Sequence, residues 1–210
     1  MARVLPPELR GRMDESEDEL FYEHPRFVVH IDESAIADVG EIYDRFLPKN
    51  SEILDLMSSW RSHLPPTLNP TRVVGLGLNR AEMADNPALT EVVLHNVNRQ
   101  PLLPFDDASF DGAVMIVSVQ YLTRPFEVFA DVARVLRTGS PFIVTFSNRM
   151  FPTKAIALWQ MASEQQRPEI VKRYFAESGT FDSIEVVDHS HRAGFPSDPI
   201  WAVIGHKKPS

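Results

Sequence analysis

Apolar residues in this chain fall into short dense runs separated by polar, turn-forming clusters, most clearly over residues 102–148. Asp106, Asp107 and Ser109 supply turn-forming side chains just before a nearly continuous apolar run at 112–119. Such a run suits a strand covered on both faces of a sheet. Pro125 fits the first turn of a helix, and Phe126, Phe129, Ala133 and Leu136 recur at spacings of three and four, on one face. Gly139 stands where a left-handed C-cap is expected, with Arg134 and Arg137 placed well against the helix dipole. A second apolar strand follows at 141–146. Strand, crossover helix and strand predict a right-handed parallel unit.

The same reading extends to both sides. Asp32 or Ser34 caps a helix with Ile36, Val39, Ile42 or Tyr43, and Phe46 on one face. Short runs at 72–78 and 89–98 read as a strand and as a strand with its exit loop. A helix is expected over 153–174, and Pro168 opens a further helical piece that Gly179 stops. The runs at 184–188 and 200–204 predict a closing antiparallel hairpin.

Composition narrows the chemistry. With 210 residues, 43% of them hydrophobic, one α/β domain is the default. The net charge of −8 gives no general field for nucleic acid or an anionic membrane and favours a small-molecule substrate. The absence of cysteine excludes disulfides, thiolate catalysis and cysteine zinc sites. No run reaches the length of a membrane span, and a cytoplasmic location is the simplest expectation. Residues 1–23, with Pro6, Pro7 and the acidic cluster around Asp14 to Glu19, read as a flexible, solvated leader. Residues 24–210 then form a single domain. His189 and His191 sit in a polar loop without a third ligand nearby, so no metal site is expected.

Recognition enters on particular words of the sequence. LPFDDASFDGAVMIVSVQYLTRPFEVFADVARVLRTGSPFIVTFSN resembles the central segment of class I S-adenosylmethionine-dependent methyltransferases of the type 11 kind. DLMSSWRSHLP, GLGLNRAEM and FSNRMFPTKAIALW are similar to a methyltransferase-like family of plants and bacteria. The resemblance covers most of the chain from Phe27 onward. It implies a Rossmann-like three-layer αβα sandwich with a mostly parallel seven-stranded sheet, its first strand at 52–57. It also implies S-adenosylmethionine as cofactor.

Carried over residue by residue, the resemblance places Asp55, Ser58, Ser59 and Trp60 at the methionine end of the cofactor. Gly77 takes the place of the usual ribose acid, with Asn79 as the substitute acceptor and Glu82 one turn on. Asn96 or Asn98 would accept from the adenine amine. Gln120, Tyr121 and Asn148 would line the acceptor side, and Lys154 and Trp159 are further cleft candidates. The chain departs from the family where Met57, Ser59 and Arg61 replace the three loop glycines that let the backbone approach a ligand. Two functions are therefore expected: a methyltransferase acting on a small molecule, or a catalytically inactive fold used as a binding module. A nicotinamide-dependent oxidoreductase is disfavoured, because Arg80 stands at the third glycine position after Gly75 and Gly77.

Overall fold

A computed structural model describes residues 4–190 and 197–209. Seven strands form one sheet: β1 (Glu52–Leu56), β2 (Arg72–Gly77), β3 (Glu91–Leu94), β4 (Gly112–Ile116), β5 (Pro141–Phe146), β6 (Phe181–Asp188) and β7 (Trp201–Lys207). Their order is β3-β2-β1-β4-β5-β7-β6. The first five run parallel, and β7 is antiparallel to both β5 and β6.

The reason for the unbroken apolar runs is visible in how alternate side chains divide. Leu54 and Leu56 enter one core, while Ile53 enters the other; Val74 and Val73 divide in the same way. Helix α5 (Pro125–Val135) and helix α7 (Arg167–Ser178) cover the first face, where Phe129 meets Phe142 at 5.0 Å and Phe175 at 4.8 Å between ring centroids. Helix α3 (Glu33–Phe46), capped by Asp32 through the Ala35 N–H, covers the other with Ala35, Val39, Ile42 and Tyr43. The expected three-layer architecture is the one observed. Gly179 does end α7 in the left-handed region, at φ 76°.

Several local expectations are corrected. The strand expected over 112–119 ends at Ile116, because Val117 turns to φ 46° and residues 119–121 form a 3-10 turn. The single helix expected over 153–174 is broken. A short α6 (Ala157–Met161) stops, and a Ser163–Gln166 capping box restarts the chain toward α7. Gly139, at φ 79°, lies in the turn beyond Leu136 and does not cap α5. The strand and exit loop expected over 89–98 are found, the strand at Glu91–Leu94.

The acidic leader is laid on the domain instead of extending into solvent. It carries α1 (Pro7–Arg10) and α2 (Asp18–Phe21), while Leu5 is buried in the main core. Backbone bonds from Ala157 N to Gly11 O and from Asp14 N to Thr153 O fasten it. The fourth helix in chain order, α4 (Arg80–Ala84), follows β2. No helix among the described residues is long and apolar enough to cross a membrane.

Candidate functional site

Strand order reverses between β1 and β4, the place where open α/β sheets bind ligands. A cleft of about 550 Å³ opens there. Its floor is made by the segments leaving β1, β2, β3 and β4, and its roof by Tyr22, Arg26 and His30 of the leader and the segment after it.

The loop after β1 is held from below. Asp55 is fully buried, and its Oδ2 accepts hydrogen bonds from the hydroxyls of Ser58 and Ser62, both at 2.6 Å. Burial pushes its carboxyl up to about 6 against the lowering effect of those two bonds. Asp55 therefore shapes the loop and does not line the cleft. Ser58 and Ser59 do line it. Trp60 turns away: its indole N–H donates to Asp85 at 2.6 Å, and the Arg61 guanidinium covers its ring at 3.8 Å. Gly77 also borders the cleft, but no side chain fits on it. A Cβ there would lie 2.3 Å from the Ser58 carbonyl oxygen and 3.0 Å from Met83 Sδ.

The three asparagines border the cleft with their amides already engaged. Asn79 caps α4 by accepting from the Glu82 N–H and donates to the carbonyls of Tyr22 and Glu23. Asn96 Oδ1 accepts from the N–H groups of Asn98 and Arg99, while its Nδ2 donates to Glu19. Asn98 accepts from Thr123 N–H and donates to Asp18 and to the Tyr121 carbonyl. Asn79 and Asn96 do the local capping and turn-closing work of Asx side chains, Asn98 ties its loop to Thr123, and all three clasp the leader.

The carboxylate that sequence reasoning ranked below these amides is the prominent one. Glu82 is only 4% exposed and lines the cleft. Its oxygens accept from the Arg26 backbone N–H at 2.6 Å and the Ser59 hydroxyl at 2.5 Å. An acid three residues after an N-cap was the available signal.

On the opposite side, Tyr121 lines the cleft and its hydroxyl accepts from the Phe151 N–H at 2.8 Å. Gln120 is buried and donates to the carbonyls of Val117 and Arg149, so it braces the loop away from the cleft. Asn148 is exposed and does not border it. Ser118 does, with a buried hydroxyl that has no partner among the described residues. Burial lowers the His30 imidazole against the raising effect of Glu82, and His30 sits 5.4 Å from the Phe151 ring. Trp159 is packed in the core against Phe146.

Lys154 is fully buried and anchors the leader. Its ammonium donates to Ser16 O at 2.7 Å and stands 3.4 Å from Asp14 and 3.6 Å from Asp18. Asp18 also pairs with Arg12 at 2.6 Å. Elsewhere, Asp38, Glu41 and His189 offer ligand atoms within 4.8 Å of one another, and none lines the cleft. His191 lies outside the described residues.

Comparison with known proteins bears on the fold. A protein-family model described as a methyltransferase domain matches residues 68–144. The chain is 40% identical over 142 residues to 24-methylenesterol C-methyltransferase 2 of Arabidopsis thaliana, covering 59% of this chain and 37% of that protein. The chain thus spans little more than a third of that relative's length. Among solved structures, an S-adenosylmethionine-dependent methyltransferase of Thermotoga maritima, described as a possible histamine N-methyltransferase, superposes with a TM-score of 0.61. That match is at 16% identity and covers 83% of this chain and 90% of that one. The [4+2]-cyclase SpnF superposes with a TM-score of 0.61 at 13% identity, covering 89% and 86%. The type 11 resemblance is borne out, and the fold is that of the S-adenosylmethionine-dependent methyltransferases.

Proposed function

We propose that the chain binds S-adenosylmethionine in the cleft at the β1–β4 switch point and transfers its methyl group to a small-molecule acceptor. The observation that carries this reading is Glu82. It sets a buried carboxylate beside Ser59 in the cleft, where Gly77 leaves the end of β2 without an acid. A carboxylate accepts from two neighbouring hydroxyls at once, as a ribose diol requires. The cleft volume of about 550 Å³ lies within the range of small-molecule sites, and its donor set of hydroxyls, carboxylate and amide edges suits an adenosine-bearing ligand.

When bound, that cofactor supplies an electrophilic methyl group on a sulfonium, displaced in line by the acceptor. Such a displacement depends mainly on positioning. Glu82 holds the sugar hydroxyls, Ser58 and Ser59 offer hydroxyls to the amino-acid end, and Tyr121 and Phe151 wall the acceptor side. The leader roof excludes water. The engaged amides of Asn79, Asn96 and Asn98 secure that roof and take no part in the chemistry.

A second reading, a non-catalytic binding module, is favoured by one observation. The amides expected to read ribose and adenine are all engaged within the protein. Titration calorimetry and thermal shift with S-adenosylmethionine and S-adenosylhomocysteine separate the two. A ligand of the folded state at 100 times its Kd raises stability by about 2.7 kcal/mol. A rise with both compounds supports the methyltransferase; none at millimolar concentration leaves the module.

A further inference from the structure

Among the described residues, the cleft wall holds one arginine whose charge no carboxylate answers. Lys154 is paired with Asp14 and Asp18, and Arg149 with Asp198 at 2.8 Å. Arg26 forms no ion pair among the described residues. Its Nη2 donates to the Phe21 carbonyl at 2.9 Å, while its Nη1 is buried with no acceptor. Glu82 engages only the Arg26 backbone N–H.

The guanidinium is nevertheless held in place. It lies 4.6 Å from the Phe21 ring centroid, 5.3 Å from that of Phe151 and 5.8 Å from that of Tyr22. Aromatic faces fix the plane of a guanidinium without neutralising it. An unanswered buried N–H is unfavourable until an acceptor arrives, and the planar fork of arginine matches a carboxylate better than any other common group. Phe151 also stacks on Tyr121 at 6.1 Å, so the Arg26 guanidinium lies with the rings on the Tyr121 side of the cleft, while its backbone N–H reaches Glu82. The unpartnered hydroxyl of Ser118 lines the same cleft.

We infer that the acceptor is an organic acid with an apolar body, its carboxylate received by Arg26 and its body laid along Tyr121 and Phe151. This rests on the cleft being the methyltransferase site proposed above. Arg26 sets the specificity, and Ser118 offers a donor to a further polar substituent of the same molecule.

The test uses the full chain saturated with S-adenosylhomocysteine, titrated with 3-phenylpropionate and with its uncharged counterpart 3-phenylpropionamide. The acid is expected to bind at least tenfold more tightly than the amide. Arg26→Gln is expected to erase that preference with S-adenosylhomocysteine affinity unchanged. Arg26→Lys, which keeps the charge and the stem, is expected to retain part of it. Equal binding of acid and amide, or binding of neither at millimolar concentration, overturns the inference without needing any variant to fold. So does a preference that survives in Arg26→Gln. Weaker S-adenosylhomocysteine binding in Arg26→Gln with 5′-methylthioadenosine unaffected also overturns it, since Arg26 then serves the cofactor's own carboxylate. Arg26-dependent acid binding by a chain that ignores S-adenosylhomocysteine keeps the acid site and removes the methyltransferase reading instead.

Discussion

Gly77 at the end of β2 faces the carbonyl oxygen of Ser58 so closely that a Cβ would stand 2.3 Å from it. The loop after β1 thus occupies the space that any side chain at position 77 would need. Restoring the acid by Gly77→Asp is therefore expected to damage the chain. Overpacking against backbone, with a carboxylate added, should cost about 3 kcal/mol or more in urea unfolding and bring no gain in S-adenosylhomocysteine affinity.

Glu82→Gln keeps the shape of the side chain and, with its oxygen toward the Arg26 N–H and its NH2 toward Ser59 Oγ, a partner for each while removing the charge. Hydrogen bonds to a charged acceptor contribute about 1.5–3 kcal/mol. S-adenosylhomocysteine affinity is expected to fall at least tenfold by calorimetry, with only a small loss of stability. Trp60→Phe, outside the cleft, should leave that affinity unchanged.

Asp18 joins Arg12, Lys154 and Asn98 beneath the leader. Asp18→Ala leaves two nearly buried cations short of a partner, and breaking buried pairs of this kind costs roughly 3–5 kcal/mol. The expected outcome is a marked drop in thermal stability and faster proteolytic cleavage within residues 4–30. A variant with an unchanged digestion pattern would show that the leader is held by its apolar contacts alone.

Asp55 gives a pH signature. Its carboxyl stands at about 6 in the folded chain against the ordinary 3.8, because burial disfavours its charge. The folded state then holds the proton more tightly than the unfolded state. Its contribution is most favourable below the unfolded value and is lost as pH rises through about 6. At about 1.4 kcal/mol per unit, the loss approaches 3 kcal/mol. Asp55→Asn can still accept from Ser58 and Ser62 and does not ionise. The stability of Asp55→Asn minus that of the parent chain should therefore grow between pH 4 and 7 in paired denaturant titrations. A flat difference would contradict the buried, uncompensated Asp55 Oδ1.

The sequence by itself determined the sheet and its covering helices. Runs such as 112–116 and 141–146 have only one low-energy use, burial on both faces, and the periodicity of α3 and α5 states which side each helix turns inward. From that follows where the cleft must open. Tertiary structure alone decided what lines it. Asp18 and Glu19 read as solvated acids until Lys154, Asn96 and Asn98 are brought to them from far along the chain. The asparagines looked like ligand acceptors because residue type does not reveal where an amide's hydrogen bonds are already placed. Asp55 near the end of β1 and Trp60 in the loop after it stand at the right end of the sheet, yet Trp60 is drawn outward by Asp85 and Asp55 is held inward by two serines. Glu82 and Arg26 gain their importance only from burial and from partners present or missing, and local pattern carries neither. Backbone architecture is written in short-range periodicity, whereas the polar chemistry of a cleft depends on contacts that close only once the chain has folded.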